Sequence, residues 1–405
     1  MSNIKNPTTR SLVLLGLPSL GTAFAVTTLT VYAPTILQNL TGPAITGLII
    51  GIEGIFGLFV PFITGAWADH ARTLRGRFNH LIPATVVMAV ALLAVGWDGS
   101  LWLIIPGIAV FYIGYFAYLA PYWSLYPALI PKSHSGRSRS AEGTWQVVGT
   151  FFALLGGGFL FGLWQALPFV LAAGVVVAVT AILGITIILP RASQKVRHSP
   201  DKVYDSIRYT FDILRSRPDI TRLAVANGLW YAALNSIRAF VVLFFVRGLG
   251  YSTGFVSGII FPVAAIGMAV MSPLSGKLAD KYGHRRVLLI ALFIYGLGGI
   301  VPTLTQSNWV MITVPVFAGA AATVMVLPYS VLMRLMTDER HGASSGIMGV
   351  SRGVGSFLGP LLTGVAISLS GHIFPASKGY AALWATISIF VLASIPVFWK
   401  IDLKD

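Results

Sequence analysis

The chain has 405 residues, 56% of them hydrophobic and 10% charged, with a formal net charge of +15 and a mean hydropathy of +0.80. A soluble core of this length cannot hide so much apolar surface, so lipid must cover the remainder. With no cysteine present, a disulfide framework, thiol catalysis and a cysteine-based metal site are excluded.

Crossing roughly 30 Å of hydrocarbon takes about 20 residues of helix. In chain order, apolar stretches of that length fall near 12–39, 42–66, 80–97, 101–130, 141–164 and 166–190. After a polar stretch they resume near 220–247, 251–278, 285–304, 308–333, 343–370 and 379–400. These are helices 1 to 12, and they define an all-α membrane protein. Of the 28 Lys and Arg residues, only Arg238, Arg247, Arg352 and Lys378 lie outside the termini and the alternate connections on one side. Basic residues are retained in the cytoplasm, so the expectation is a multi-pass protein of the cell inner (plasma) membrane with both termini cytoplasmic. The start of the chain, Met1 to Arg10, is short and polar and reads as no cleavable signal. A nucleic-acid partner is not expected, because the positive charge is dealt out loop by loop instead of gathered on one polar domain.

Short internal similarities point to a duplicated chain. Gly65-Ala66-Trp67-Ala68-Asp69 after helix 2 recurs as Gly276-Lys277-Leu278-Ala279-Asp280 after helix 8. Pro121-Tyr122 in helix 4 recurs as Pro328-Tyr329 in helix 10. The domains that follow are a six-helix bundle over 1–190, a cytoplasmic linker over 191–219 and a second six-helix bundle over 220–405. Within the linker Val203, Tyr204, Ile207, Phe211 and Leu214 oppose Lys202, Arg208 and Arg215. That pattern fits an interfacial helix at the inner membrane surface, with a solvated connector as the alternative.

At these loops the chain resembles the major facilitator superfamily, over essentially its whole length. Asp280-Lys281-Tyr282-Gly283-His284-Arg285-Arg286 looks like the signature loop in its short form. The first copy, from Asp69 through Arg72, Thr73, Arg75, Gly76 and Arg77 to Phe78, is longer and looks more like the glycoside and sucrose cation symporter branch. Pro127 to Pro131 followed by Arg137, Arg139 and Gly143 is similar to that branch too. The resemblance implies alternating access between two pseudo-symmetric bundles, a small-molecule substrate in a lipid bilayer, and a monomer. It also implies gating by Asp69, Arg72, Arg75, Arg77, Glu142, Asp280, Arg285 and Arg286, where an acid at a helix end accepts charge-assisted hydrogen bonds from loop arginines. Topology enforcement alone is the competing account of those arginines, and for Glu142, near the cytoplasmic end of helix 5, the alternative is that it only holds the loop arginines. The chain departs from the branch at Gly57 and Pro61, which stand where melibiose-type members carry the two Asp residues of a sodium site. Phe78 and His80 also stand where sucrose-type members keep Arg and Pro.

Three charges lie at bilayer depth, where each costs about 3 kcal/mol on insertion scales: Glu53, Arg238 and Arg352. The superfamily fold would set helices 2 and 11 side by side, so Glu53 and Arg352 are expected to pair, either as a static bridge or as a coupling element. Glu53 is the candidate proton carrier, since a carboxyl held between burial and an arginine has both protonation states within reach. Along helix 7, Asn227, Tyr231, Asn235 and Arg238 share one face. They are expected to form a hydrogen-bonding wall for a hydroxylated or anionic solute. Tyr115 and Tyr118 lie on an aromatic stripe of helix 4 with Phe111 and Tyr122. Trp145 and Gln146 lie with Glu142 and Gly149 on helix 5. Both sets are candidate substrate contacts, with packing as the alternative for the aromatic stripe.

No enzyme is expected: the seven histidines lie in loops or at helix ends without paired-ligand spacing, and no phosphate-binding loop is present. The sequence reading is a secondary active transporter without a cofactor, coupled to H+, for a sugar or glycoside. An exporter of amphiphilic, drug-like molecules and a transporter of an organic or lipid anion are the alternatives.

Overall fold

The computed structural model describes residues 9–69, 71–97, 100–130, 135–195, 212, 214–305, 310–335 and 341–402. The described residues are helical, with no strand beyond one isolated bridge between Thr73 and Lys195. Twelve helices among them are long and apolar enough to cross a membrane. They run Arg10–Leu37, Pro43–Gly65, Leu74–Trp97, Leu101–Tyr126, Ser140–Leu163 and Leu167–Arg191, then Pro218–Gly248, Thr253–Tyr282, His284–Leu304, Thr313–Leu332, Ile347–Leu369 and Ala382–Trp399. Most of the expected interfacial helix of the linker lies outside the described residues.

Helix 3 starts earlier than its apolar stretch. Thr73 accepts a hydrogen bond from the Gly76 N–H at 3.1 Å and caps a short helix, Leu74–Asn79, that leads into it. Arg75 and Arg77 of the expected gating loop therefore stand on helix. Helix 8 has a wide turn, Val256–Ile260, in its first turns, ending two residues before Pro262. A proline has no N–H to donate to the carbonyl four residues before it, here that of Gly258, and a local slip of register accommodates the loss.

The chain divides into two compact units, one of residues 1–36 and 56–203, the other of residues 37–55 and 204–405. The outer part of helix 2, through residue 55, groups with the second unit. Packing inside the units repeats. In the first, helix 3 packs on helices 4 and 6, and helix 1 on helix 5. In the second, helix 9 packs on helices 10 and 12, and helix 7 on helix 11. Close helix approach repeats as well. Gly149 of helix 5 faces the backbone of Leu20 in helix 1, and Gly355 of helix 11 faces that of Gly228 in helix 7. Each pair of helices is related to the other by six positions in helix order, which is the packing signature of a duplicated six-helix unit.

Outside the spans, Tyr380 ties the last connection to the second unit by donating a hydrogen bond to Gln38 Oε1 at 2.8 Å. Burial pushes its phenol up to about 12, against the opposing pull of Arg247.

Candidate coupling and substrate site

Small residues let the outer part of helix 2 lie against helix 11 within the second unit. A Cβ added at Gly51 would sit 2.7 Å from the Phe357 carbonyl oxygen, and one at Gly47 or Gly54 would overlap the carbonyl of Pro360 or Gly353. This seam brings Glu53, next to Gly54, to the level of Arg352, next to Gly353. Glu53 is buried at 4% exposure. The expected ion pair with Arg352 is nevertheless not among the ion pairs between described residues. Arg352 instead holds its guanidinium carbon 5.6 Å from the centroid of the Tyr231 ring on helix 7, a cation–π arrangement.

Two of the four stripe residues on helix 7 serve packing. Asn227 donates its amide N–H to Ser351 Oγ at 2.7 Å, and Asn235 donates to Ser356 Oγ and to the Tyr231 carbonyl, both at 3.0 Å. Both asparagines are buried. The stripe therefore faces helix 11, because an amide at bilayer depth needs a partner and the hydroxyls of a close-packed neighbour supply it. Tyr231 and Arg238 remain half-buried, as does Arg352. The partner serines were missed in the sequence reading. Their signal was present in the run Ser351, Gly353, Gly355, Ser356 and Gly359, where hydroxyls are interleaved with small residues.

In the first unit the helix 4 stripe turns inward. Tyr118 OH hydrogen-bonds Thr180 Oγ1 of helix 6 at 3.1 Å, and Tyr122 donates to the Leu15 carbonyl at 2.8 Å while also meeting Tyr126 and Ser19 hydroxyls. Tyr115 is buried with its ring stacked on Phe111, centroids 6.0 Å apart. Trp145 donates its indole N–H to the Val13 carbonyl at 3.0 Å, which makes it a strut between helices 5 and 1. Gln146 is exposed.

The expected gating residues scatter. Glu142 is buried and accepts the Trp123 indole N–H at 2.8 Å. Arg77 is buried and donates to the Ser124 carbonyl at 2.9 Å, while Arg72 and Arg75 are exposed. Asp69 ends its helix, with its side chain outside the described residues. In the second copy Asp280 and Arg286 are exposed. Arg285 donates to the Trp399 carbonyl and lies 5.4 Å from the centroid of that residue's ring. Gly283 between them has φ +91, a backbone state that L side chains rarely adopt, which explains glycine at this tight connection between helices 8 and 9.

Among the described residues, these elements define a polytopic helical bundle with Glu53, Arg238 and Arg352 inside its spans. Residues 254–404 match the sequence model of the Major Facilitator Superfamily. The chain is 26% identical over 362 residues to the multidrug resistance protein MdtG of Serratia proteamaculans (strain 568), covering 87% of this chain and 83% of that protein. It is 25% identical over 364 residues to MdtG of Salmonella paratyphi C (strain RKS4594), covering 88% and 84%. Among solved structures, it is similar to a bacterial homolog of the human lysosomal transporter Spinster in an inward-facing, occupied conformation, with TM-score 0.78, 18% identity and 96% of each chain covered. It is also similar to the nucleoside transporter NupG, with TM-score 0.74, 15% identity and 96% and 98% coverage. At these identities the structural likeness carries the fold. The fold is that of the major facilitator transporters, and the matched segment lies within the second unit.

Proposed function

We propose that the protein exports amphiphilic, drug-like molecules, driven by proton entry through Glu53. The observation that carries this reading is the fate of the helix 7 stripe. A sugar site needs several free amide or hydroxyl groups to replace the water around each hydroxyl of the solute. Asn227 and Asn235 spend their donors on Ser351 and Ser356. What remains half-accessible is an aromatic ring and two guanidinium groups, Tyr231, Arg238 and Arg352, a set suited to aromatic and amphiphilic solutes. The multidrug resistance relatives support the same reading. Glu53 supplies the coupling element: it is a buried acid in the helix 2 and helix 11 seam, and an ionisable group inside a membrane span is by default a candidate for a proton or substrate path.

The sugar reading is favoured by the long first loop from Asp69 to Phe78. A ligand-stability screen separates the two, because a ligand that prefers the folded state raises the melting temperature by mass action. Purified protein should melt higher with amphiphilic aromatic compounds and be unmoved by sugars and glycosides at millimolar concentration. Stabilisation confined to sugars would overturn the export reading.

A further inference from the structure

We propose that the outer face of helices 8, 9 and 10 holds one anionic phospholipid of the inner leaflet, its acyl chain in an apolar groove and its headgroup phosphate on Arg286. A groove of about 640 Å³ runs between these three helices inside the second unit, within the range of about 300 to 1,000 Å³ typical of small-molecule sites. Its floor is shut: a Cβ at Gly267 of helix 8 would overlap the Pro315 carbonyl of helix 10. Its walls are apolar and open outward, with Val270 52%, Ile290 53% and Val316 61% exposed. Those residues lie in membrane spans, so hydrocarbon is what meets them.

The groove is not apolar to its end. Tyr282 and Arg286 close it at the junction of helices 8 and 9. The same junction carries Lys277, Lys281 and Arg285, opposed there by the single carboxylate of Asp280. The Lys281 amine sits 5.1 Å from the Tyr282 ring centroid, which keeps it beside the groove mouth. Arg285 is held on Trp399, which leaves the exposed Arg286 as the cation that faces the groove. On the topology expected from the Lys and Arg distribution this end lies at the cytoplasmic interface, where anionic headgroups sit. An occupant must therefore combine a long apolar tail with a negative head at the interface, and a bilayer phospholipid with net negative charge has both. The proposal is independent of the transported solute.

The test compares short-chain phosphatidylglycerol with phosphatidylcholine of the same acyl length on delipidated protein in detergent, read as the shift in melting temperature. Wild-type protein should rise by several degrees more with the anionic lipid. Arg286→Gln should abolish that difference, and Val316→Trp, which fills the groove from an exposed position, should abolish it with the cation intact. Lys195→Gln, an exposed cation of the first unit, should leave it unchanged. Equal stabilisation by both lipids would mean bulk solvation and overturn the proposal. So would a full response to inorganic phosphate alone, or an undiminished response in Arg286→Gln.

Discussion

Helix 4 in the first unit and helix 7 in the second carry polar side chains at the same three-to-four-residue spacing, yet their surroundings treat them differently. On helix 4, Tyr118 and Tyr122 are fully buried, with hydroxyls closed onto Thr180, Ser19, Tyr126 and the Leu15 carbonyl. On helix 7 the asparagines are closed onto helix 11 in the same way, but Tyr231 and Arg238 stay half-accessible, with Arg352 and Glu53 at hand. Neutral polar groups in a bilayer find neutral partners on the next helix and become glue. Charged groups cost too much to be glue alone, so those that remain are the ones proposed as the working site.

The difference is tested hardest where helices 2 and 11 touch. Gly54→Leu should cost about 3 kcal/mol or more of stability, at the upper end of overpacking, because the new side chain meets the Gly353 backbone; a thermal melt and transport measurement on the same sample check it. Tyr122→Phe comes next. It strips the hydroxyl shared with the Leu15 carbonyl, Ser19 and Tyr126 and should cost about 2 kcal/mol, while affinity for the best ligand of the screen changes less than twofold. Asn235→Ala should cost about 1 kcal/mol, near the larger values measured for hydrogen bonds within membranes, again with affinity held. A large affinity loss there with stability unchanged would mean that this amide binds solute. Arg238→Gln should alter stability least, by less than about 0.5 kcal/mol. It should nevertheless change which ligands stabilise the protein, acidic compounds losing most. If its effects resemble those of Tyr122→Phe, the division between glue and site collapses.

The sequence made the span count and the duplication legible because lipid imposes a long, simple signal: about 20 apolar residues per crossing, with cations on one side. Glu53, Arg238 and Arg352 stood out for the same reason. The direction of a stripe was not legible. Periodicity places Asn227, Tyr231, Asn235 and Arg238 on one face, but whether that face meets a cavity or a neighbouring helix depends on small residues elsewhere, here Gly355 and Gly359 opposite Gly228 and Ala232. The partner of helix 2 was hidden on similar grounds. Its outer part is drawn to the second unit by Gly47, Gly51 and Gly54, and glycines advertise close approach without naming the partner. The substrate reading followed the resemblance of two loops to the sugar symporters, whereas the curated relatives that span most of the chain carry the multidrug resistance name.

On the proposed function, the buried carboxyl in the helix 2 and helix 11 seam couples proton movement to export. Protein reconstituted in liposomes and loaded with the strongest ligand of the screen allows two readings on one preparation: uphill movement driven by a pH gradient, and counterflow without one. In Glu53→Gln the uphill component should vanish and counterflow should persist within about twofold, since a neutral side chain of the same size keeps the seam but cannot exchange a proton. Gradient-driven accumulation that survives in Glu53→Gln would contradict the account.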